Sequence, residues 1–149
     1  MSGSIESRLA EMGVTLPAAA APAANYVPFA RSGNLLFPAG QLPLVAGKLV
    51  ATGLLGRELD TTAGRDAAKA CGINILAQAK AALGDLEKIA GIVKITVFVA
   101  STPDFTEQHL VANGASDLLA AALGDKGKHA RSAVGTASLP LNAPVEVEA

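Results

Sequence analysis

The chain has 149 residues, half of them apolar and 17% charged, with a formal net charge of −1 and one cysteine. That length suits one domain with a core of its own, the near-zero charge argues against a broad nucleic-acid-binding surface, and a single cysteine excludes an internal disulfide. No basic segment followed by a long apolar run opens the sequence and no stretch reaches transmembrane length, so the expectation is a cytoplasmic protein with no membrane partner.

Ser4 to Glu11 reads as a short helix, with Ser4 at its cap and Gly13 as its stop. Pro17 and Pro22 flank an alanine-rich arm, so residues 1–24 form an N-terminal helix and irregular arm and residues 25–149 the main domain. Tyr26 to Ala30 fits a first strand. Arg31-Ser32-Gly33-Asn34 fits a turn, and Leu35-Leu36-Phe37 begins the second strand of a hairpin. Val45 to Gly53 reads as a turn and short strand, and no GxGxxG or Walker sequence indicates a nucleotide cradle.

A helix is predicted after Asp60-Thr61-Thr62, running to about Leu83, with Ala68, Cys71, Ile75, Ala79 and Ala82 at helical spacing on its inner face. Cys71 is then a small buried helix residue. Ile92 to Val99 alternates as a strand, with Val93, Ile95, Val97 and Val99 on one face. Thr102-Pro103 suggests the start of a second helix reaching Leu123. Its buried stripe is Val111, Ala115, Leu118 and Ala122; His109, Asn113 and Ser116 share its polar side. Two strands, Arg131 to Ala137 and Pro144 to Glu148, close the chain.

The order β-β-β-α-β-α-β-β predicts an α+β fold, a mixed sheet covered on one face by two helices. The other face needs cover, and self-association is the economical way to supply it.

The segment from His129 to Pro140, followed by Val145-Glu146-Val147-Glu148, carries the residues best suited to chemistry. Two extended segments joined by a turn can bring Arg131 and Glu146 to one end of a sheet. An arginine fork holds a carboxylate in two parallel hydrogen bonds, and a nearby carboxylate can orient water or accept its proton. A basic loop residue beside an acidic edge strand explains the same pattern. Glu148 points to the same side as Glu146, so spacing alone does not rank the two. His109 and His129 stand twenty residues apart without a Cys/His/Asp/Glu cluster, so no metal site is predicted.

Three segments in order resemble signatures of the RidA/YjgF family (endoribonuclease L-PSP-like) of small trimeric proteins. They are Gly33 to Pro43, Lys94 to Val99 with Asp104-Phe105, and the C-terminal segment just described. The resemblance covers roughly Tyr26 to the C-terminus. It implies a chorismate mutase-like fold and a homotrimer with a barrel-like centre and three clefts at the subunit boundaries. It further implies that Arg131 binds a ligand carboxylate, that Glu146 places or activates a hydrolytic water, and that Tyr26 borders the pocket from an adjoining subunit. Gly40 and the backbone at Gln41 would shape the same cleft.

The chain departs from the imine-hydrolysing members of that family in carrying Ala39 for a serine, His109 for an asparagine and Ala133 for a cysteine. Neither alanine can donate a hydrogen bond or a proton through its side chain. Arg131 with His129 and His109 makes a basic set suited to a small acidic ligand. The resemblance therefore implies hydrolysis of a 2-imino or enamino acid to ammonia and a 2-oxo acid, without a cofactor. The alternative is a non-catalytic, carboxylate-binding or regulatory trimer. Cleavage of RNA, described for some members, is disfavoured by the weakly acidic chain and the lack of a basic-aromatic platform.

Overall fold

Helix α1 (Ser4–Glu11) begins the part of the chain that the computed structural model describes, residues 3–149. The first two residues of the expected 1–24 arm lie outside it. Ile5 and Leu9, one turn apart, are buried. Ser4 does not cap its own helix. Glu87, distant in sequence, accepts the Ile5 N–H at 2.8 Å and the Ser4 hydroxyl at 3.1 Å, so the cap comes from outside the helix. Gly13, at φ +74°, ends the helix as predicted. The following arm is tied down where the Gln78 side chain donates to the Ala20 carbonyl at 2.9 Å.

Strands β1 (Phe29–Ser32) and β2 (Leu35–Pro38) form an antiparallel hairpin turning at Gly33, φ +57°. β1 starts three residues later than predicted. Tyr26 is held in a tight bend by its N–H to the Ala24 carbonyl, and Pro28 has no N–H to give a ladder. In place of one strand within 45–53, β3 (Leu44–Val45) and β4 (Lys48–Leu49) form a small hairpin, because Ala46 and Gly47 both take positive φ.

Helix α2 (Thr61–Leu83) ends where predicted but starts two residues earlier, at Thr61, because Asp60 is its cap and accepts the Ala63 N–H; left-handed Gly84 closes it. Strand β5 (Lys94–Ala100) follows. Val93 falls outside it and is 72% exposed. Helix α3 (Gln108–Leu123) starts five residues after the predicted proline. Thr102 to Phe105 instead closes a turn, Phe105 N–H to Thr102 carbonyl, and the Gln108 side chain folds back onto the Phe105 carbonyl. Strands β6 (Ala130–Thr136) and β7 (Val145–Glu148) complete the chain.

The sheet order is β6-β5-β7, with β5 parallel to β6 and antiparallel to β7. The last two strands are thus neighbours in sequence but not partners in the sheet. Gln41 bridges to Val147 and so docks the first hairpin against the free edge of β7. Ile95, Val97, Val99, Val145 and Val147 are buried beneath α2 and α3, burial worth about 1.5–3 kcal/mol per aliphatic side chain. The opposite face carries Thr96, Phe98, Val134 and Glu146, none fully buried, and Val134 is 43% exposed. The layers are those of the predicted α+β fold, with α1 as a third helix packed on α3.

Candidate functional site

The parallel register pairs Arg131 with Ile95, whose side chain faces the helices, so Arg131 is directed under α3 as well. There one Nη donates to Asn113 Oδ1 at 2.8 Å and to Ser116 Oγ at 3.0 Å; the other donates to the His109 carbonyl at 3.1 Å. Residues 109, 113 and 116 lie along one face of the helix. All three acceptors are neutral, and among the described residues Arg131 is in no ion pair. The protein uses three of the five guanidinium N–H groups. Nε–H and one Nη–H have no acceptor among the described residues, which leaves donors for an incoming anion.

Behind this contact stands His129. Its Nε2 lies 2.9 Å from Ser116 Oγ, and its Nδ1 bonds the Gly127 carbonyl. Gly127 is buried so closely against α3 that a Cβ there would overlap the Leu119 carbonyl. That approach brings residue 129 under Ser116.

Glu146 pairs with Phe98 in the register and points to the face away from the helices. It is half-buried, and this burial, with a smaller contribution from Glu148, pushes its carboxyl above the usual range. Glu148 is exposed, so burial ranks the two glutamates where sequence spacing did not. Gly40 lies against the Glu146 carboxylate; a Cβ there would overlap Oε1. Reciprocal backbone hydrogen bonds between Gln41 and Val147, at 2.8 and 3.0 Å, hold Gly40 in place.

The remaining predicted residues are more scattered. Tyr26 is 48% exposed and its hydroxyl accepts the Ala23 N–H, a local contact. The His109 ring is exposed and reaches Arg131 only through its carbonyl, whereas His129 joins the cluster through its ring. Ala133 packs against the core, and Ala39 offers only its backbone. Cys71 is fully buried, its thiol raised well above the usual range by burial and then by Glu146. Among the described residues, no three His, Cys, Asp or Glu side chains gather in a metal-binding group.

Within one chain, Arg131 and Glu146 are not brought to a common cleft. They lie on opposite edges and faces of the sheet, and two concavities of about 590 and 410 Å³ are lined by neither. Asn113 and Ser116, the direct partners of Arg131, were visible in the sequence only as the polar side of α3.

The sequence profile of the family described as "YjgF/chorismate mutase-like, putative endoribonuclease" matches residues 6–148. Protein TCP17 of Trypanosoma cruzi is 51% identical over 151 residues, 99% of this chain and 93% of that protein. A crystal structure of a protein of unknown function from Agrobacterium tumefaciens is 58% identical, with a TM-score of 0.92 over 97% of this chain and 89% of that one. Escherichia coli TdcF, crystallised with bound serine, is 25% identical, with a TM-score of 0.64 over 87% of this chain and 89% of its own. At similar coverage, the backbone is thus much nearer the Agrobacterium protein than TdcF.

Proposed function

The chain belongs to the YjgF/chorismate mutase-like family, and from that premise we propose that it binds small carboxylate metabolites at Arg131 in clefts between the subunits of a homotrimer, and hydrolyses 2-imino acids there. The observation that carries this reading is the Arg131 guanidinium, half-buried, held by three neutral acceptors and compensated by no carboxylate among the described residues. A ligand carboxylate supplies the missing negative charge and takes the two remaining N–H groups as a fork. The serine bound to TdcF is a small carboxylate of this kind.

Glu146 of a neighbouring copy supplies the base. Its raised pKa moves it towards the range in which a carboxylate accepts a proton readily. Water attacks the iminium carbon and gives a proton to Glu146. Glu146 returns that proton to the amine nitrogen of the resulting carbinolamine. As the C–N bond breaks, the carboxylate takes the hydroxyl proton, so the 2-oxo acid and ammonia form, and ammonia leaves with that proton as ammonium. The ligand's own C=N bond provides the electrophile. The exposed apolar side chain of Val134, beside Phe98 on the sheet face that also carries Glu146, supports burial of this face between copies.

A second reading rests on Ala39 and Ala133, which remove the hydroxyl and thiol expected from the family resemblance. On that reading the same cleft binds a 2-oxo or amino acid without turning it over. The two are separated by following a freshly generated 2-imino acid in the presence of the protein. Accelerated loss, abolished in Arg131→Ala, supports hydrolysis. Saturable 2-oxo acid binding without acceleration supports the binding reading, and no binding of any small carboxylate overturns both.

A further inference from the structure

We propose that His129, acting through Ser116, is a positioning residue for Arg131. The inference rests on reading Arg131 as the carboxylate-binding group, but it concerns how that group is aimed. The hydrogen-bond directions follow from the chemistry of each partner. A guanidinium only donates, so Ser116 Oγ accepts from Arg131 at 3.0 Å. A backbone carbonyl only accepts, so His129 Nδ1 carries the hydrogen that bonds Gly127. In the neutral ring Nε2 is then an acceptor, and the single Ser116 hydrogen goes to it across 2.9 Å.

The result is a one-way chain from Arg131 through Ser116 and His129 to the Gly127 carbonyl, with every group used once. Gly127 is fixed against α3, and Ser116 and Asn113 both belong to α3. The guanidinium is therefore clamped to one rigid element, at one Nη by Asn113 and Ser116 and at the other by the His109 carbonyl. Its free Nε–H and Nη–H point in a fixed direction rather than sweeping with a long flexible stem, and such preorganisation increases affinity by reducing the ordering cost of binding. Without the histidine, the Ser116 hydrogen turns to another acceptor, such as its own helix backbone, and the hydroxyl no longer presents a fixed lone pair to Arg131.

The test compares wild type, His129→Phe, Ser116→Ala and the hydroxyl-retaining Ser116→Thr. Nitrogen-15 NMR of the Arg131 guanidinium reads the clamp without any ligand. Distinct, slowly exchanging Nη signals are expected in wild type and Ser116→Thr, and faster-exchanging signals in the other two, in which only Asn113 and the His109 carbonyl still hold the group. Titration with L-serine should show roughly tenfold weaker binding in His129→Phe and Ser116→Ala, about 1.4 kcal/mol, with Ser116→Thr close to wild type. Equally restricted Arg131 signals in all four proteins would overturn the proposal. Restricted signals lost in Ser116→Ala and His129→Phe, but with no carboxylate bound by wild type, would uphold the clamp and remove the proposed function instead.

Discussion

Arg131 and Glu146 project from opposite faces of the sheet. Arg131 stands level with Ile95 on β6 and Glu146 level with Phe98 on β7, an odd separation along the shared central strand. Two strand spacings, about 10 Å, and three residues of rise, about another 10 Å, further separate their backbones. A ligand that meets both must do so between two copies. Mixed trimers of Arg131→Ala and Glu146→Gln chains test this. In a closed ring of three, about a quarter of the clefts combine an intact arginine from one chain with an intact glutamate from the next. Co-expression of the two inactive variants is expected to restore about that fraction of the hydrolytic activity. Continued inactivity of verified mixed trimers would show that the two groups do not share an intersubunit site.

Glu146 should make stability depend on pH in a defined direction. Its carboxyl is raised in the folded chain, chiefly by burial, so the protonated form is favoured by folding. That contribution is fully present below the unfolded carboxylate value of about 4.3 and is lost as pH rises through the folded value. At neutral pH the ionised group is a cost. Glu146→Gln is therefore expected to raise the melting temperature at pH 7, with the gain shrinking to nothing below about pH 4. A gain of equal size at both pH values would assign the effect to something other than ionisation.

Gly40→Ala should separate catalysis from binding. The added methyl overlaps Glu146 Oε1, the far end of a flexible side chain, so the carboxylate moves and the backbone can stay. Stability is expected to change by less than about 1 kcal/mol. Affinity for 2-oxo acids at Arg131 should persist while imine hydrolysis falls at least tenfold. Parallel loss of both would mean that Gly40 shapes the carboxylate pocket itself.

Val134→Glu probes assembly. The side chain lies on the uncovered sheet face, 43% exposed, close in register to Phe98 and Glu146. A charge buried there between copies, without a partner, opposes association. Sedimentation is expected to show a trimer for wild type and smaller species for the variant, with hydrolysis lost as well. An unchanged trimer would place the subunit interface elsewhere.

The sequence made the layers of the fold legible because alternation in β5 and helical spacing in α2 and α3 each have one physical reading. Ile95, Val97 and Val99 are buried together, as are Val111, Ala115, Leu118 and Ala122. Strand pairing was less legible, since β7 passes to the far side of β5 and no local pattern encodes that choice. Caps misled for two reasons: at α1 the distant Glu87 replaced Ser4, and before α3 a local Thr102–Phe105 turn delayed the helix start. Around Arg131 the sequence supplied the central charge and the polar side of α3. The contacts with Asn113 and Ser116 required the packing of β6 under that helix.

That packing also depends on how closely α2 and α3 approach. Gly114 lies on α3 between Asn113 and Ser116, and a Cβ there would run into the Arg65 backbone carbonyl of α2. Backbone cannot rotate aside as a side chain can, so the two helices must separate. Overpacking of this kind costs about 1–3 kcal/mol, and the upper end is expected for Gly114→Ala, partly offset by the better helix propensity of alanine. Gly84→Ala, a left-handed cap with open space around its Cβ position, makes a useful comparison because its cost comes from backbone conformation alone. Both should lower the urea midpoint, but only Gly114→Ala should also weaken L-serine binding, because it shifts the helix that clamps Arg131. Unchanged serine affinity in a destabilised Gly114→Ala protein would mean that the arginine is held independently of helix spacing.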